Sequence, residues 1–529
     1  MVIISPTFDQ HGVQSREGSY ESRFQRMKNH DDNSELFYDE QIIDHFSEDG
    51  VGLKSYWKHR YYLSTRYFGG PGSPIFLVIG GEGALDHGML YPFVTDVLAK
   101  RFNAAVVQPE HRFYGAYQPV QNATIPQLLK LLTPQQAIAD MLRLVTVHLR
   151  ETTLKGCSPD RRSAKYCPLI TIGGSYPGFL STIFRLVHPD VVDAAYASAA
   201  PLLMYAQRTN PNVFYDIVTA SAENSSPGCP TAVRQALNDI DRVVLRAPTL
   251  RDAALNVGIC ENSIPHSIKD QMSLSNRLLD MVSYSFADHN MDAYPPGPDT
   301  GLYRVCQVFQ DENSDTFDII RHFFESKIQQ RIYEEKGCDM ASVRCNQDEI
   351  LHLVRHEVGK RDCFDFKNEF PDDPKIQVDW SSVPSDEDTM WNFQTCTNVI
   401  FLAGFSEESM FPSWNATLER LTKECQDSFG ITPRPRELAD LWGFDDLVRR
   451  GASRILFTNG GQDMWSGGSI RQNLSDSLLA LNFENGAHHS DLSHRGPSEN
   501  DTPDIKEGFI LIADILEQWL NEIRNEAHE

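Results

Sequence analysis

Residues 169–178 read Leu-Ile-Thr-Ile-Gly-Gly-Ser-Tyr-Pro-Gly, a short apolar run followed by two glycines, a serine and a third glycine. The run at 169–172 is typical of a strand buried on both faces, and residues 179–187 have the spacing of a helix. A sharp strand-to-helix turn requires small residues and holds a serine hydroxyl above the sheet. The pattern predicts that Ser175 is a nucleophile; the alternative is an incidental serine in a glycine-rich turn.

Further apolar runs on both sides of this turn predict a sheet. The predicted strands are residues 61–68, 74–79, 104–107, 169–172, 191–197, 454–458 and 480–484. Helical spacing at residues 134–150, 179–187 and 504–525 alternates with them, which indicates a parallel sheet covered by helices on both faces. Between the fifth and sixth strands the chain is helix-rich, with helical periodicity at residues 231–246, 267–286 and 315–333.

This organisation predicts an α/β fold whose core is split by a large, mostly helical insertion. Residues 1–34 are polar and aperiodic, and we expect a disordered or loosely attached leader there. Residues 35–201 and 438–529 form the two parts of the core, and residues 202–437 form the insertion.

The charge and hydropathy of the chain exclude several classes of partner. Among 529 residues, 73 are acidic and 48 are Lys or Arg, which gives a formal net charge of −25. This excess repels phosphate backbones and anionic membrane surfaces, so we expect no nucleic-acid or membrane partner. No apolar run approaches the roughly 18–20 residues of a membrane helix.

The cysteines and sequons indicate an oxidising compartment. None of the ten cysteines lies in a CxxC pair, and eight fall within residues 202–437, where we expect disulfides. The predicted glycosylation sites are Asn122, Asn224, Asn415, Asn473 and Asn500. The expected location is extracellular or lysosomal/vacuolar. The N-terminus shows no signal peptide, so either the start lies upstream, the signal has been removed, or the compartment is wrong.

Two more polar motifs follow predicted core strands. Asp463 lies beyond the strand at 454–458, and His488 lies beyond the strand at 480–484. Open α/β sheets place their sites at these strand ends, and the order Ser175, Asp463, His488 is that of α/β-hydrolases. We therefore predict an α/β-hydrolase core in which His488 is the base and Asp463 orients it. Taken singly, Asp463 could be a turn residue and His488 a surface histidine.

Two ambiguities remain around this motif. His489 competes with His488 for the role of base, because sequence does not separate adjacent histidines. His488, His489, Asp491 and His494 could also be a metal cluster, but no H-E-x-x-H pair exists elsewhere, so we expect no metal and no cofactor.

The tetrahedral intermediate needs two hydrogen-bond donors for its oxyanion. One is expected to be the backbone N–H of Tyr176, directly after the nucleophile. The other should come from the loop after strand 74–79, at Gly81 or Glu82. Glu110, His111 and Arg112 follow another core strand and are interpreted as structural, with a buried Glu–Arg pair bracing the loops.

Several motifs in order resemble the serine carboxypeptidase family of lysosomal Pro-X carboxypeptidase, dipeptidyl-peptidase II and thymus-specific serine protease. They are Gln41-Ile-Ile-Asp-His-Phe46, Arg60-Tyr-Tyr62, Gly80-Gly-Glu-Gly83, Glu110-His-Arg-Phe-Tyr-Gly115, Leu132-Thr-Pro-Gln-Gln-Ala137, Phe393-Gln-Thr-Cys396, the Ser175 and Asp463 motifs and Gly486-Ala-His-His489. The resemblance runs from about Phe37 to the C-terminus.

The resemblance implies cleavage after proline or another small residue near a peptide end, a helical cap, and His488 as the catalytic histidine. It also implies that Trp465 lines the pocket for the residue before the cleaved bond. The chain departs from the family's Asp-Pro-Trp at Met464. It also has Pro177 where a strict G-x-S-x-G pattern has glycine.

The function expected from these observations is a serine-type exopeptidase acting on peptide substrates. The first alternative is an esterase for small acyl groups, since the same triad serves both. The second is a non-catalytic binding protein on a hydrolase scaffold. Glu82 could bind a substrate α-amino group, although a structural carboxylate is the competing interpretation. Carboxy-terminal and amino-terminal cleavage both stay open, and a homodimer is a possible assembly.

Overall fold

The computed structural model describes most of the chain. The described residues are 34–47, 55–85, 88–265, 268–311, 315, 318–322, 363–366, 387–492 and 496–526. The leader at residues 1–33, most of the predicted helix 315–333, and Cys338 and Cys345 lie outside them.

The core is an eight-stranded mixed sheet. Its strands are β1 (Ser34–Ile42), β2 (Tyr56–Ser64), β3 (Ile75–Val78), β4 (Ala105–Pro109), β5 (Leu169–Gly174), β6 (Ala194–Ser198), β7 (Ile455–Gly460) and β8 (Leu478–Phe483). Their order in the sheet is β1-β2-β4-β3-β5-β6-β7-β8. The pairs β1–β2 and β2–β4 are antiparallel, and the remaining pairs are parallel.

At the antiparallel edge of the sheet one strand was missed and one was predicted with the wrong bounds. β1 was not predicted, because it is an edge strand with mostly exposed or half-buried residues and no clear apolar run. β2 begins at Tyr56 and ends at Ser64, rather than spanning residues 61–68, because it pairs with β1 from Ile42↔Tyr56 to Ser34↔Leu63. Ser34 therefore belongs to the sheet and not to the leader.

Strands β3 to β7 are buried on both faces, as their apolar runs predict, whereas the edge strand β8 is mostly half-buried. In β3, Ile75 and Leu77 join one core cluster, while Phe76 and Val78 join a second cluster across the sheet. Helices cover both clusters. Those of the core are α1 (Ala99–Phe102), α2 (Ile125–Leu131), α3 (Pro134–Arg143), α4 (Tyr176–Val187) and, at the C-terminus, α14 (Pro503–Glu526).

The segment between β6 and β7 is helical in the described residues. It contains α5 (Leu202–Tyr205), α6 (Val213–Ser225), α7 (Cys229–Leu245), α8 (Leu250–Asn256), α9 (Gln271–Met291), α10 (Gly301–Gln310), α11 (Glu387–Thr397), α12 (Leu418–Phe429) and α13 (Glu437–Trp442). None of the helices in the described residues has both the length and the hydropathy needed to span a bilayer.

All eight described cysteines form disulfides, which confirms the expectation for most of those in the insertion. The bonds Cys229–Cys306, Cys260–Cys363 and Cys396–Cys425 close separations of 77, 103 and 29 residues within it. A fourth bond, Cys157–Cys167, lies before β5 in the core. Bonds that close long loops stabilise a fold mainly by restricting the unfolded chain.

Candidate active site

The turn between β5 and α4 has the strained backbone of a nucleophile elbow. Ser175 has φ 63° and ψ −129°, and its backbone N–H donates to Ser198 O (2.8 Å). A Cβ at Gly173 would lie 2.4 Å from the carbonyl carbon of Pro177, and one at Gly178 would lie 2.8 Å from Ser198 O. Any larger side chain at these two positions would clash, so both glycines are needed for the turn. Gly178 serves this purpose although it stands one position later than the second glycine of G-x-S-x-G.

Pro177 has a contact that explains its place beside the serine. A Cβ at Gly81 would lie 2.8 Å from Pro177 Cγ, so the loop after β3 packs directly against the first turn of α4. Gly81 and Glu82 are half-buried there. The structure thus brings together the two segments that were predicted to supply the oxyanion donors.

Asp463 and His488 meet at the carboxyl ends of β7 and β8. His488 Nδ1 donates to Asp463 Oδ2 (2.9 Å), and the other carboxylate oxygen accepts the backbone N–H of Trp465 (3.0 Å). Asp463 is fully buried. Since a carboxylate only accepts hydrogen bonds, Nδ1 carries the proton, and the lone pair of a neutral His488 is on Nε2.

The two adjacent histidines have different surroundings. His489 has φ 37°, and its ring packs on Gly174, where a Cβ would lie 2.9 Å from ring atoms. The rings of His488 and His489 are 4.1 Å apart. The hydrogen bond between Asp463 and His488 favours His488 as the base.

The residues considered for a metal cluster have other partners. His488 Nδ1 bonds Asp463, and both carboxylate oxygens of Asp491 accept hydrogen bonds from hydroxyl groups. His494 lies outside the described residues.

Trp465 lies in an aromatic cluster next to the histidine. Its ring contacts Phe214 edge-on (centroids 5.1 Å apart) and Phe401 (5.2 Å), and it is 6.3 Å from the ring of His488. Phe214 comes from α6 and Phe401 from the segment after α11. The insertion therefore contributes to the aromatic surface around the predicted pocket residue.

A buried hydrogen-bond chain fixes the side chain of Tyr176. Burial lowers the pKa of His111 to about 4, so its ring is neutral near pH 7. His111 Nδ1 donates to Arg112 O (2.8 Å), which leaves Nε2 to accept from the Tyr176 hydroxyl (3.1 Å). Gln394 of α11 in turn donates to that hydroxyl (3.1 Å). Sequence reasoning missed this role of His111, although its position after a core strand was visible.

Glu110 and Arg112 were expected to form a bracing ion pair, but each of them pairs with another residue. Glu110 pairs with Arg60 of β2, because the antiparallel β2 runs beside β4 and Arg60 O accepts the Glu110 N–H. Arg112 instead holds both oxygens of Asp140 at 2.7 Å. Burial alone would raise the pKa of Asp140, but Arg112 holds it below its usual range. Both pairs are buried and structural.

All five sequon asparagines lie on the surface. Asn122, Asn224, Asn415, Asn473 and Asn500 are each exposed.

Comparisons with known proteins place this geometry in a family. The family model for serine carboxypeptidase S28 matches residues 41–509. Lysosomal Pro-X carboxypeptidase of Mus musculus is 27% identical, over 92% of this chain and 89% of that protein. Thymus-specific serine protease of Homo sapiens is 25% identical, over 91% and 86%. An acetylester hydrolase from Corynebacterium glutamicum has a TM-score of 0.36 at 11% identity, over 91% of this chain and 96% of that one. The family match, which spans both parts of the α/β-hydrolase core and the segment between them, shows that the chain is a serine peptidase of the serine carboxypeptidase S28 family.

Proposed function

We propose that this peptidase is an exopeptidase that cleaves after proline or a small residue near a peptide terminus, with Ser175, His488 and Asp463 as its catalytic triad. The observation that carries the proposal is the hydrogen bond between His488 Nδ1 and the buried Asp463. It lies at the same edge of the sheet as the strained turn that holds Ser175.

The triad would act through an acyl-enzyme. His488 Nε2 takes the proton of Ser175 as Oγ attacks the carbonyl carbon, and it later gives that proton to the leaving amine. Asp463 holds the ring and stabilises the imidazolium. Ser175 Oγ does not cap the first turn of α4. The Ser175–His488 contact is part of the proposal, and such contacts often tighten only when substrate binds.

Two backbone donors would stabilise the oxyanion. Tyr176 is the first residue of α4, so its N–H has no acceptor within the helix. The loop at Gly81 and Glu82 packs against the same turn and would supply the second donor.

The aromatic cluster supports specificity for proline. A proline ring fills a flat apolar slot and loses little entropy on binding, because its φ is already fixed. Trp465→Ala should cost roughly 1–3 kcal/mol of transition-state binding for a proline substrate and less for an alanine substrate, measured as kcat/KM. Equal losses for the two substrates would contradict the proposed pocket.

The enzyme could recognise either the carboxyl or the amino end of a peptide. The Pro-X carboxypeptidase relatives favour cleavage at the carboxyl end. A half-buried Glu82 beside the elbow would instead suit an α-amino group. Kinetics with an N-blocked Pro-X dipeptide and with an X-Pro amide that has a free amino group would decide between them.

The same panel tests the function itself. We expect hydrolysis of at least one proline peptide, and none by Ser175→Ala. A wild-type protein that hydrolyses p-nitrophenyl esters but no peptide would support the esterase alternative. A protein that hydrolyses neither proline peptide and no p-nitrophenyl ester would support the non-catalytic alternative.

We further propose an extracellular or lysosomal/vacuolar location with glycans at the five exposed sequons. The four described disulfides and the lysosomal relatives support it. Glycosidase treatment of the protein secreted from a eukaryotic host should reduce its mass. The homodimer stays an expectation, which light scattering would test.

A further inference from the structure

A buried carboxylate lies beneath the proposed active site. Asp491 is 1% exposed and follows the two histidines by only a few residues. It accepts three hydrogen bonds, from the hydroxyls of Tyr196 (2.5 Å), Thr458 (2.5 Å) and Ser198 (2.8 Å). The triad chemistry uses none of these four side chains.

The three hydroxyls belong to two neighbouring strands of the sheet. Tyr196 and Ser198 are on β6, and Thr458 is on β7, five residues before Asp463. Ser198 also accepts the backbone N–H of Ser175 through its carbonyl oxygen (2.8 Å). Two hydrogen bonds through Ser198 therefore connect the nucleophile to the turn that carries the base.

The turn itself is compact and held from several sides. Ser490 Oγ accepts the N–H of Ala487 (2.9 Å), and the fully buried Leu492 belongs to the core cluster on that face of the sheet. Asp491 connects this turn to β6 and β7 through hydrogen bonds. Burial raises the pKa of its carboxyl group, which the three hydroxyl donors counteract.

We propose that Asp491 is a positioning residue that fixes the His488 turn relative to Ser175 and to the strand leading to Asp463. This inference rests on the proposed triad. In a close-packed site, a shift of the base by about 1 Å can reduce the rate roughly a hundredfold. Three hydroxyl donors from two neighbouring strands leave the carboxylate little freedom to move, so the turn holds His488 at a constant distance from both partners.

The test uses Asp491→Asn, which keeps the shape of the side chain but replaces one acceptor oxygen with a donor. We expect kcat for a proline peptide to fall about 10- to 100-fold, because His488 is displaced. KM should change less than about threefold, since no pocket residue is altered. Ser198→Ala should also lower kcat, because it removes the hydrogen bond from Ser198 to Asp491. The double variant should be no slower than Asp491→Asn alone, because both changes disrupt the same hydrogen bond.

Asp193 provides a matched control at the amino-terminal end of β6, the strand that carries Tyr196 and Ser198 near its other end. It is also 1% exposed, and it accepts the Tyr166 hydroxyl and the Leu169 N–H, each at 2.8 Å. Asp193→Asn should lower the melting temperature and leave kcat unchanged. If it lowers kcat as much as Asp491→Asn does, the effect reflects general stability and the inference fails.

The remaining outcomes are equally decisive. An Asp491→Asn enzyme that keeps kcat within twofold of the wild type overturns the positioning role while leaving the proposed function intact. If Asp491→Asn does not fold, Ser198→Ala and Thr458→Val decide in its place, and an unchanged kcat in both overturns the inference. A wild-type protein without peptidase activity contradicts the proposed function instead.

Discussion

At the residue scale, the sequence was enough to predict that Ser175, Asp463 and His488 each lie just beyond the end of a core strand. The apolar run of each strand made it recognisable. The choice between His488 and His489 was not predictable, because it depends on the turn that follows β8. In the structure His489 adopts φ 37° and packs on Gly174, which leaves His488 to bond Asp463. A local backbone conformation of this kind has no clear signal in the sequence.

We predict that the two histidines respond very differently to substitution. His488→Ala should lower kcat about 10⁴-fold or more, because the triad loses its base. His489→Ala should keep kcat within about tenfold of the wild type, since the bond between Asp463 and His488 stays in place. Steady-state kinetics with a proline peptide would measure both, and the reverse pattern would assign the base to His489.

At the element scale, strands β3 to β7 were predicted well because burial on both faces leaves a continuous apolar run. β1 was missed because an edge strand needs no such run. The contacts of the insertion with the site could not be predicted. Asn290 at the end of α9 accepts the Met464 N–H (3.3 Å), and the next residue, Met291, accepts the His488 N–H (3.3 Å). These partners are 174 and 197 residues apart in sequence, and no local pattern connects them.

The hydrogen bond from Met464 to Asn290 gives a prediction about the insertion. Met464 stands where the family commonly has proline, which has no N–H to donate. Asn290→Ala should lower kcat roughly fivefold, the equivalent of about 1 kcal/mol for one hydrogen bond. Met464→Pro removes the same bond, so Asn290→Ala should have little further effect in a Met464→Pro background. Fully additive losses in this double-mutant cycle would show that Asn290 acts by another route.

At the scale of the whole molecule, buried polar groups make stability depend on pH. The pKa of His111 is lowered to about 4 in the fold, chiefly by burial, against about 6.5 in an unfolded chain. As pH falls below about 6.5, the unfolded chain binds a proton that the folded protein does not, so stability is lost until pH reaches about 4. For this group the loss is on the order of 3 kcal/mol.

We predict that the melting temperature depends more steeply on pH in the wild type than in His111→Gln. The melting temperature of the wild type should fall more steeply from pH 6.5 to pH 4 than that of His111→Gln, which has no proton to gain. Calorimetry at matched ionic strength would measure both slopes. Parallel slopes would show that His111 does not contribute to the acid sensitivity.

The central claim is that Ser175 is the nucleophile, and labelling by a fluorophosphonate tests it most directly. The wild-type protein should be labelled at one serine, and peptide mass spectrometry should identify Ser175. Ser175→Ala should not be labelled, should keep the wild-type melting temperature, and should lose about 10⁴- to 10⁶-fold in kcat. A label on another serine, or a Ser175→Ala protein that keeps more than about a tenth of the wild-type kcat, would contradict the account.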